Sequence, residues 1–165
     1  MDKMLILGAC GFTGKHFQQY ILKNKLDENR NELELWWKQI REWASIDCLK
    51  YDRTSSIIKP QYVVEKLWEL TNGDAYITSD VGQHQMWVAQ FWRFDEPRRW
   101  LSSSGLGAMG FGLPAAMGAQ VALPNRQVIN FEGDGSFLMN IQELQTLKIE
   151  NIPVKNVVLN NAHLG

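Results

Sequence analysis

Short apolar, β-branched stretches alternate with amphipathic or glycine-led stretches along most of this chain. The pattern predicts strands and helices in turn, with strands at 75–79, 127–131 and 154–159 and helices at 60–70, 84–92 and 114–121. The first of these helices starts at a proline and stops before Asn72-Gly73, as helices commonly do. Such alternation is typical of an α/β domain in which helices flank a parallel sheet.

The N-terminal part follows a different pattern. Residues 3–8 predict a buried strand that leads into a loop with glycines at 8, 11 and 14 and a helix at 15–25, which is how a Rossmann dinucleotide site opens. No second strand follows, so residues 1–26 are interpreted as an unrelated Rossmann-like leader. Residues 27–59 are predicted to be a linker and an amphipathic helix, and residues 60–165 the main domain. That amphipathic helix carries on one face Leu33, Trp36, Trp37, Ile40 and Trp43.

Composition limits the possible functions. The hydrophobic fraction of 45% is enough for a core, and the net charge of -1 argues against a nucleic-acid partner. Nothing in the sequence is long and apolar enough to span a membrane or to act as a signal peptide. The two cysteines, Cys10 and Cys48, have no metal-binding spacing and suggest free thiols in a reducing compartment. We therefore expect a cytoplasmic protein.

Two polar motifs follow neighbouring predicted strands near the end of the chain. Gly133-Asp134-Gly135-Ser136 follows the strand at 127–131, and Asn160-Asn161 follows the strand at 154–159, with helical sequence in between. A right-handed crossover brings the carboxyl ends of both strands to one edge of the sheet. An aspartate and an asparagine there can share a hard cation, while the glycines let backbone N–H groups approach a phosphate. The sequence predicts a Mg²⁺–diphosphate site.

These motifs resemble the thiamine diphosphate signature, Gly-Asp-Gly followed at this spacing by Asn-Asn. Three segments further resemble the large catalytic subunit of acetolactate synthase (acetohydroxyacid synthase), namely Asp80–Trp87, Gly105–Ala116 and Asn160–Gly165. The similarity runs from about Asp27 to the last residue. It implies the diphosphate-binding α/β fold, incomplete at its C-terminus, and a chain that is a fragment of that subunit's C-terminal domain.

The resemblance also implies roles for individual residues. Asp134, Asn161 and the backbone carbonyl of His163 would bind Mg²⁺, with diphosphate oxygens and water completing the shell. Met109 would meet the aminopyrimidine ring and hold the cofactor bent. The full set expected to bind the cofactor is Gln83, His84, Gly107, Ala108, Met109, Gly133, Asp134, Gly135, Ser136 and Asn161. We also expect Ser136 to donate to phosphate.

The family's activity follows from the same resemblance. Acetolactate synthases decarboxylate pyruvate and condense the two-carbon unit with a second 2-keto acid, in branched-chain amino-acid biosynthesis. They use thiamine diphosphate and Mg²⁺ and also carry FAD, for which this chain has no site. They form homodimers or larger assemblies, with a regulatory subunit as a possible partner. The activating glutamate comes from a domain that this sequence does not contain, so no catalytic residue is assigned and the isolated chain is expected to be inactive.

Other interpretations stay open at this point. Another thiamine diphosphate enzyme, such as a pyruvate oxidase or a glyoxylate carboligase, shares the metal motif, although Gln83 to Trp87 argues against it. A nicotinamide-binding oxidoreductase fragment built on Gly8 to Gly14 is a second alternative. A non-catalytic remnant is a third.

Overall fold

The computed structural model describes residues 30–47 and 49–163. The leader at 1–26, both cysteines, and the last two residues of the Asn160–Gly165 segment lie outside the described residues. Two compact units divide the chain, one up to Asp52 and one from Arg53 onward.

The first unit contains helix α1 (Arg30–Ala44), as the amphipathic pattern predicted. Its apolar stripe is only half covered. Leu33, Trp37 and Ile40 are partly buried, whereas Trp36 and Trp43 are exposed. The helix pattern was therefore predictable, while the extent of its burial was not.

The second unit is a four-stranded parallel sheet with helices against it. Its strands lie in the order β2-β1-β3-β4. In chain order its elements are α2 (Pro60–Thr71), β1 (Tyr76–Ser79), α3 (Gln83–Phe91), β2 (Trp100–Ser102), a 3₁₀ turn (Ser104–Leu106), α4 (Gly112–Ala122), β3 (Val128–Gly133), α5 (Asp134–Leu138), α6 (Glu143–Ile149) and β4 (Lys155–Leu159). The parallel α/β fold predicted from the sequence is confirmed.

One face of the sheet carries the apolar core. Ile77 pairs with Ile129 across β1 and β3, and Phe131 lies one step further along the same face. These side chains are buried together with Val64 of α2 and Val88 of α3. Because side chains alternate along a strand, every second residue of β1 and β3 points to this core.

The intervening positions of the same two strands carry buried polar groups. Thr78, Asn130 and Glu132 are each no more than 1% exposed. The Thr78 hydroxyl donates to Asn130 Oδ1 at 2.9 Å, and Asn130 Nδ2 donates to Glu132 Oε1 at 3.1 Å. Asn130 also donates to Asn156 Oδ1 on β4 at 3.0 Å. We call Thr78, Asp80, Asn130 and Glu132 the polar layer; it lies beneath the N-terminus of α4, where Gly112 approaches it closely.

The predicted helices and the three predicted strands agree with the observed elements to within a few residues, with two differences. β2 was not among the strands predicted from the sequence. The sequence between the two motifs predicts one helix, but it forms α5 and α6 with a turn between them. Asn140 lies in that turn and directs its side chain to the backbone carbonyl of Gly110. This hydrogen bond to a distant part of the chain, added to the weak helix propensity of asparagine, accounts for the break.

Within the described ranges, none of the helices has the length and apolarity needed to cross a bilayer.

Candidate functional site

A cavity of about 290 Å³ lies at the carboxyl ends of β1, β3 and β4. In parallel α/β sheets ligands commonly bind at this edge. The residues around the cavity come from four loops and strand ends: Val81, Gly82, Gln83, His84, Trp87, Met109, Gly133, Asp134, Gly135, Ser136, Leu159, Asn161 and His163. Most of the residues predicted from the sequence to form a site therefore surround one space.

Asp134 is the first residue of α5 and follows directly from β3. Gly133 pairs with Leu159 in the parallel ladder, so Asp134 and Asn161 leave neighbouring strands at nearly the same level. The Asp134 carboxylate makes no hydrogen bond or ion pair with any residue that the structure describes. It is thus available to a cation in the cavity, and its position at a helix start is also electrostatically favourable.

The Ser136 hydroxyl is committed to the protein. Ser136 is 4% exposed and its Oγ lies 2.8 Å from Glu132 Oε2, to which it donates. The same oxygen accepts the Gly133 N–H at 3.1 Å. A hydroxyl has one proton, so while it donates to Glu132 it has none for a phosphate. Its geometry favours a structural role, in which it joins Glu132 and Gly133 at the end of β3 to the first turn of α5.

The turn after β4 is held by its own asparagines. Asn160 Oδ1 accepts the Ala162 N–H at 2.9 Å, and Asn161 Oδ1 accepts the His163 N–H at 3.0 Å. The His163 ring nitrogen Nδ1 lies 2.6 Å from the Asn161 carbonyl oxygen. An amide oxygen has two lone pairs, so Asn161 Oδ1 retains one for a cation. These bonds set the direction of Asn161 before any ligand arrives.

Gln83 and His84 are the first residues of α3 and form another part of the cavity wall. Gln83 Oε1 accepts a long hydrogen bond of 3.4 Å from Asn161 Nδ2, which links this wall to the β4 turn. His84 is 4% exposed, and its Nε2 is buried without a hydrogen-bond partner among the described residues. Burial lowers the pKa of His84, an effect opposed by the charge and backbone carbonyl of Asp80 and by Asp134. His84 lines the cavity, while its Nε2 atom is itself closed off from solvent.

The glycine-rich segment, residues 105–112, contributes Met109 to the cavity wall. Its side chain is 43% exposed. Gly107 and Ala108, predicted with it, belong to the same segment but do not line the cavity. Ala108 donates its N–H to Ser103 Oγ at 2.9 Å, so it fixes the segment's path. Their predicted contact with the cofactor remains a prediction.

Sequence reasoning missed the two buried acids of the polar layer. Asp80 is fully buried, and its two carboxylate oxygens accept the N–H groups of Val81 at 2.8 Å and Gly112 at 2.7 Å. Glu132 lies under the Gly133–Ser136 loop. The available signal was an acidic residue at an alternate position of an otherwise apolar strand, because such a residue must be buried with partners. Val81, Gly82, Trp87 and Leu159 were also missed as wall residues.

Burial raises the pKa of Glu132 to about 7, helped by the nearby Asp80 charge and opposed by hydrogen bonds from Ser136, Asn130 and Leu113. The folded state therefore binds this proton more tightly than the unfolded chain does. The stability that neutral Glu132 contributes is fully present below about pH 4.5 and is lost as pH rises through about 7. This pKa shift corresponds to a contribution of up to about 3 kcal/mol to the free energy of unfolding.

We expect Glu132→Gln to remove most of this pH dependence. In metal-free protein, the free energy of unfolding from urea titrations should fall by about 2 to 3 kcal/mol more between pH 5 and pH 8 in wild type than in the variant. Glu150→Gln, at an exposed position, is the matched control and should follow wild type. Parallel pH profiles for wild type and Glu132→Gln would show that Glu132 is not the group that titrates.

The donor chemistry fits a hard cation that is held jointly with an anion. The described residues contain no group of three or more His, Cys, Asp or Glu side chains that could hold a metal. Asp134 and Asn161 together supply two oxygen ligands, whereas Mg²⁺ favours six. A cation here would therefore need further oxygens, which a diphosphate can supply.

The fold and this site define a cofactor-binding domain, and comparison with known proteins places it in a family. The model of the family described as "Thiamine pyrophosphate enzyme, C-terminal TPP binding domain" matches residues 80–165. The chain belongs to this family.

Comparison with individual proteins narrows the likeness within this family. The chain is 58% identical over 135 residues to the acetolactate synthase isozyme 3 large subunit of Escherichia coli, a match that covers 82% of this chain and 24% of the relative. It is 52% identical over 138 residues to the acetolactate synthase large subunit of Haemophilus influenzae, covering 84% and 24%. It is 50% identical over 145 residues to the chloroplastic enzyme of Arabidopsis thaliana, covering 88% and 22%.

The resemblance to acetolactate synthase large subunits is therefore confirmed. The chain spans about a quarter of the length of these relatives.

Proposed function

We propose that this chain binds thiamine diphosphate together with Mg²⁺ in the cavity at the carboxyl edge of its sheet. The observation that carries the proposal is the convergence of Asp134 and Asn161 from neighbouring strands on one cavity. Asp134 and Asn161 Oδ1 would bind the cation, with the His163 carbonyl as a third ligand. Gln83, His84 and the backbone of Gly133 and Gly135 would face the diphosphate.

The chemistry would be that of acetolactate synthase large subunits. Bound thiamine diphosphate supplies an electron sink for decarboxylating pyruvate and a nucleophilic carbon for condensation with a second 2-keto acid. The chain's own contribution is to hold the diphosphate, orient the cofactor through Met109 and shield one side with Trp87 and Leu159. FAD and a regulatory subunit belong to the proposal for the whole enzyme, as does assembly into dimers.

Binding should require both components at once. Without metal, Asp134 and the diphosphate would repel each other; without diphosphate, the cation would lack ligands. In calorimetry we expect binding of thiamine diphosphate with Mg²⁺ present and no measurable heat of binding in EDTA. Thiamine without its phosphates, tested with Mg²⁺, is the matched ligand control and should not bind.

Equal affinity for thiamine diphosphate with and without Mg²⁺ would contradict the joint site. Equal affinity for thiamine and its diphosphate would contradict the placement of the diphosphate at Asp134.

A further inference from the structure

The glycine-rich segment is tied to two other loops of the cavity. The Gly112 N–H donates to the buried Asp80 carboxylate, in the turn before α3. The Gly110 carbonyl accepts a hydrogen bond of 2.6 Å from Asn140 Nδ2, in the turn after α5. Met109 lies just before this second tie.

The contact between Asn140 and Gly110 is closely fitted. Gly110 has φ +86°, a left-handed conformation that favours glycine. A Cβ at Gly110 would lie 2.7 Å from Asn140 Nδ2 and 3.2 Å from Met139 Cβ. Among the described residues the Asn140 amide has one other side-chain partner, Gln142, whose Nε2 lies 3.4 Å from Asn140 Oδ1. The short bond to Gly110 is therefore its principal interaction.

We infer that Asn140 is a positioning residue that holds Met109 in the cavity wall through the Gly110 carbonyl. The Met109 side chain is 43% exposed, so packing alone does not fix it. The backbone beside it is held by Asn140 on one side and, two residues later, by Asp80 through Gly112. Loss of the Asn140 bond would let the segment at 109–110 move while Gly112 stays anchored.

The hydrogen bond between Asn140 and Gly110 also connects the two ends of the proposed site, the cation–diphosphate end and the ring end. Asp134 starts α5, and Asn140 follows the end of that five-residue helix. The loop that would hold cation and diphosphate is thus connected, through one short helix and one hydrogen bond, to the loop that would meet the cofactor's rings. This inference rests on the proposed function, and it predicts an effect specific to the ring end of the ligand.

The test compares two ligands and three proteins. Wild type, Asn140→Asp and the exposed charge-matched control Gln145→Glu are each titrated with thiamine diphosphate and with inorganic pyrophosphate, both with Mg²⁺. Asn140→Asp keeps the side-chain shape but replaces the donor by an oxygen that repels the Gly110 carbonyl. We expect roughly tenfold weaker binding of thiamine diphosphate and less than about twofold change for pyrophosphate, as loss of one hydrogen bond predicts. Gln145→Glu should match wild type with both ligands.

A double-mutant cycle separates positioning from general stability. If Asn140 acts through Met109, Asn140→Asp should weaken thiamine diphosphate binding no further in a Met109→Ala background. Additive losses would overturn the inference, as would equal losses for both ligands. Asn140→Ala, which removes the donor without adding charge, repeats the comparison if Asn140→Asp does not fold, with thermal melts to verify folding.

Failure of the proposed function has a different outcome. If wild type binds neither ligand with Mg²⁺, the proposed function falls and this inference falls with it. If wild type prefers thiamine diphosphate and Asn140→Asp keeps the same preference, the inference alone is overturned.

Discussion

Replacing Asp134 by asparagine is expected to abolish Mg²⁺-supported binding of thiamine diphosphate while leaving the domain folded. The substitution keeps the size of the side chain and removes the charge that a divalent cation needs. Groups that merely support a metal ligand commonly change affinity by about 10- to 100-fold, so losing a direct carboxylate ligand should cost more than roughly a hundredfold. Calorimetry at matched Mg²⁺ concentration measures the loss.

The folded structure should tolerate this change, because the Asp134 side chain makes no hydrogen bond or ion pair with the described residues. Only its favourable place at the start of α5 is lost, worth about 0.3–1 kcal/mol. Asp95→Asn removes an exposed carboxylate beside Arg99 and Arg126, away from the cavity, and serves as the charge-matched control. Retention of wild-type affinity in Asp134→Asn would remove Asp134 from the metal site.

Gly112→Ala is expected to destabilise the domain strongly. A Cβ at this position would lie 2.4 Å from Glu132 Oε1, 2.9 Å from Asn130 Oδ1 and 2.9 Å from the Asp80 backbone nitrogen. The last contact is with backbone, and the other two are with buried side chains that cannot turn away. Overpacking of this kind costs about 1–3 kcal/mol, and breaking a buried hydrogen-bond network adds to it. Urea titration should show a loss at or above the upper end of that range.

Gly118→Ala is the matched control, because it lies in the same helix and its Cβ would meet nothing within 4 Å. Alanine is a better helix former, so this variant should be more stable by up to about 1 kcal/mol. Wild-type stability in both variants would show that α4 does not approach the polar layer this closely.

The fold was predictable because its signals are local. The β-branched runs before Asp80 and Gly133 and the helix stop at Asn72 each specify an element from neighbouring residues. Asn72 indeed ends α2 in the left-handed conformation, with φ 53°. The split at Asn140 was not predictable in this way, since the carbonyl that its side chain binds belongs to Gly110, thirty positions away.

The site shows the same division. The convergence of Asp134 and Asn161 on one cavity was predictable from their spacing, because parallel strands bring their carboxyl ends to one edge. The hydrogen bond from the Ser136 hydroxyl to Glu132 was not predictable in this way, because it depends on the burial of Glu132 in the folded domain. The raised pKa of Glu132 likewise depends on desolvation by the whole domain, which no short motif encodes.

The most direct test of the central claim is the location of the bound cation. Mn²⁺, which shares the oxygen preference of Mg²⁺, is added with thiamine diphosphate to ¹⁵N-labelled protein, and paramagnetic broadening of amide signals is recorded. The strongest broadening should fall on Gly133 to Ser136 and Asn161 to His163, and the weakest on Asp74, Arg99 and Arg126 at the opposite ends of the strands. Strongest broadening at Asp74 and Arg126, or broadening unaffected by leaving out thiamine diphosphate, would contradict a joint cation–diphosphate site at Asp134.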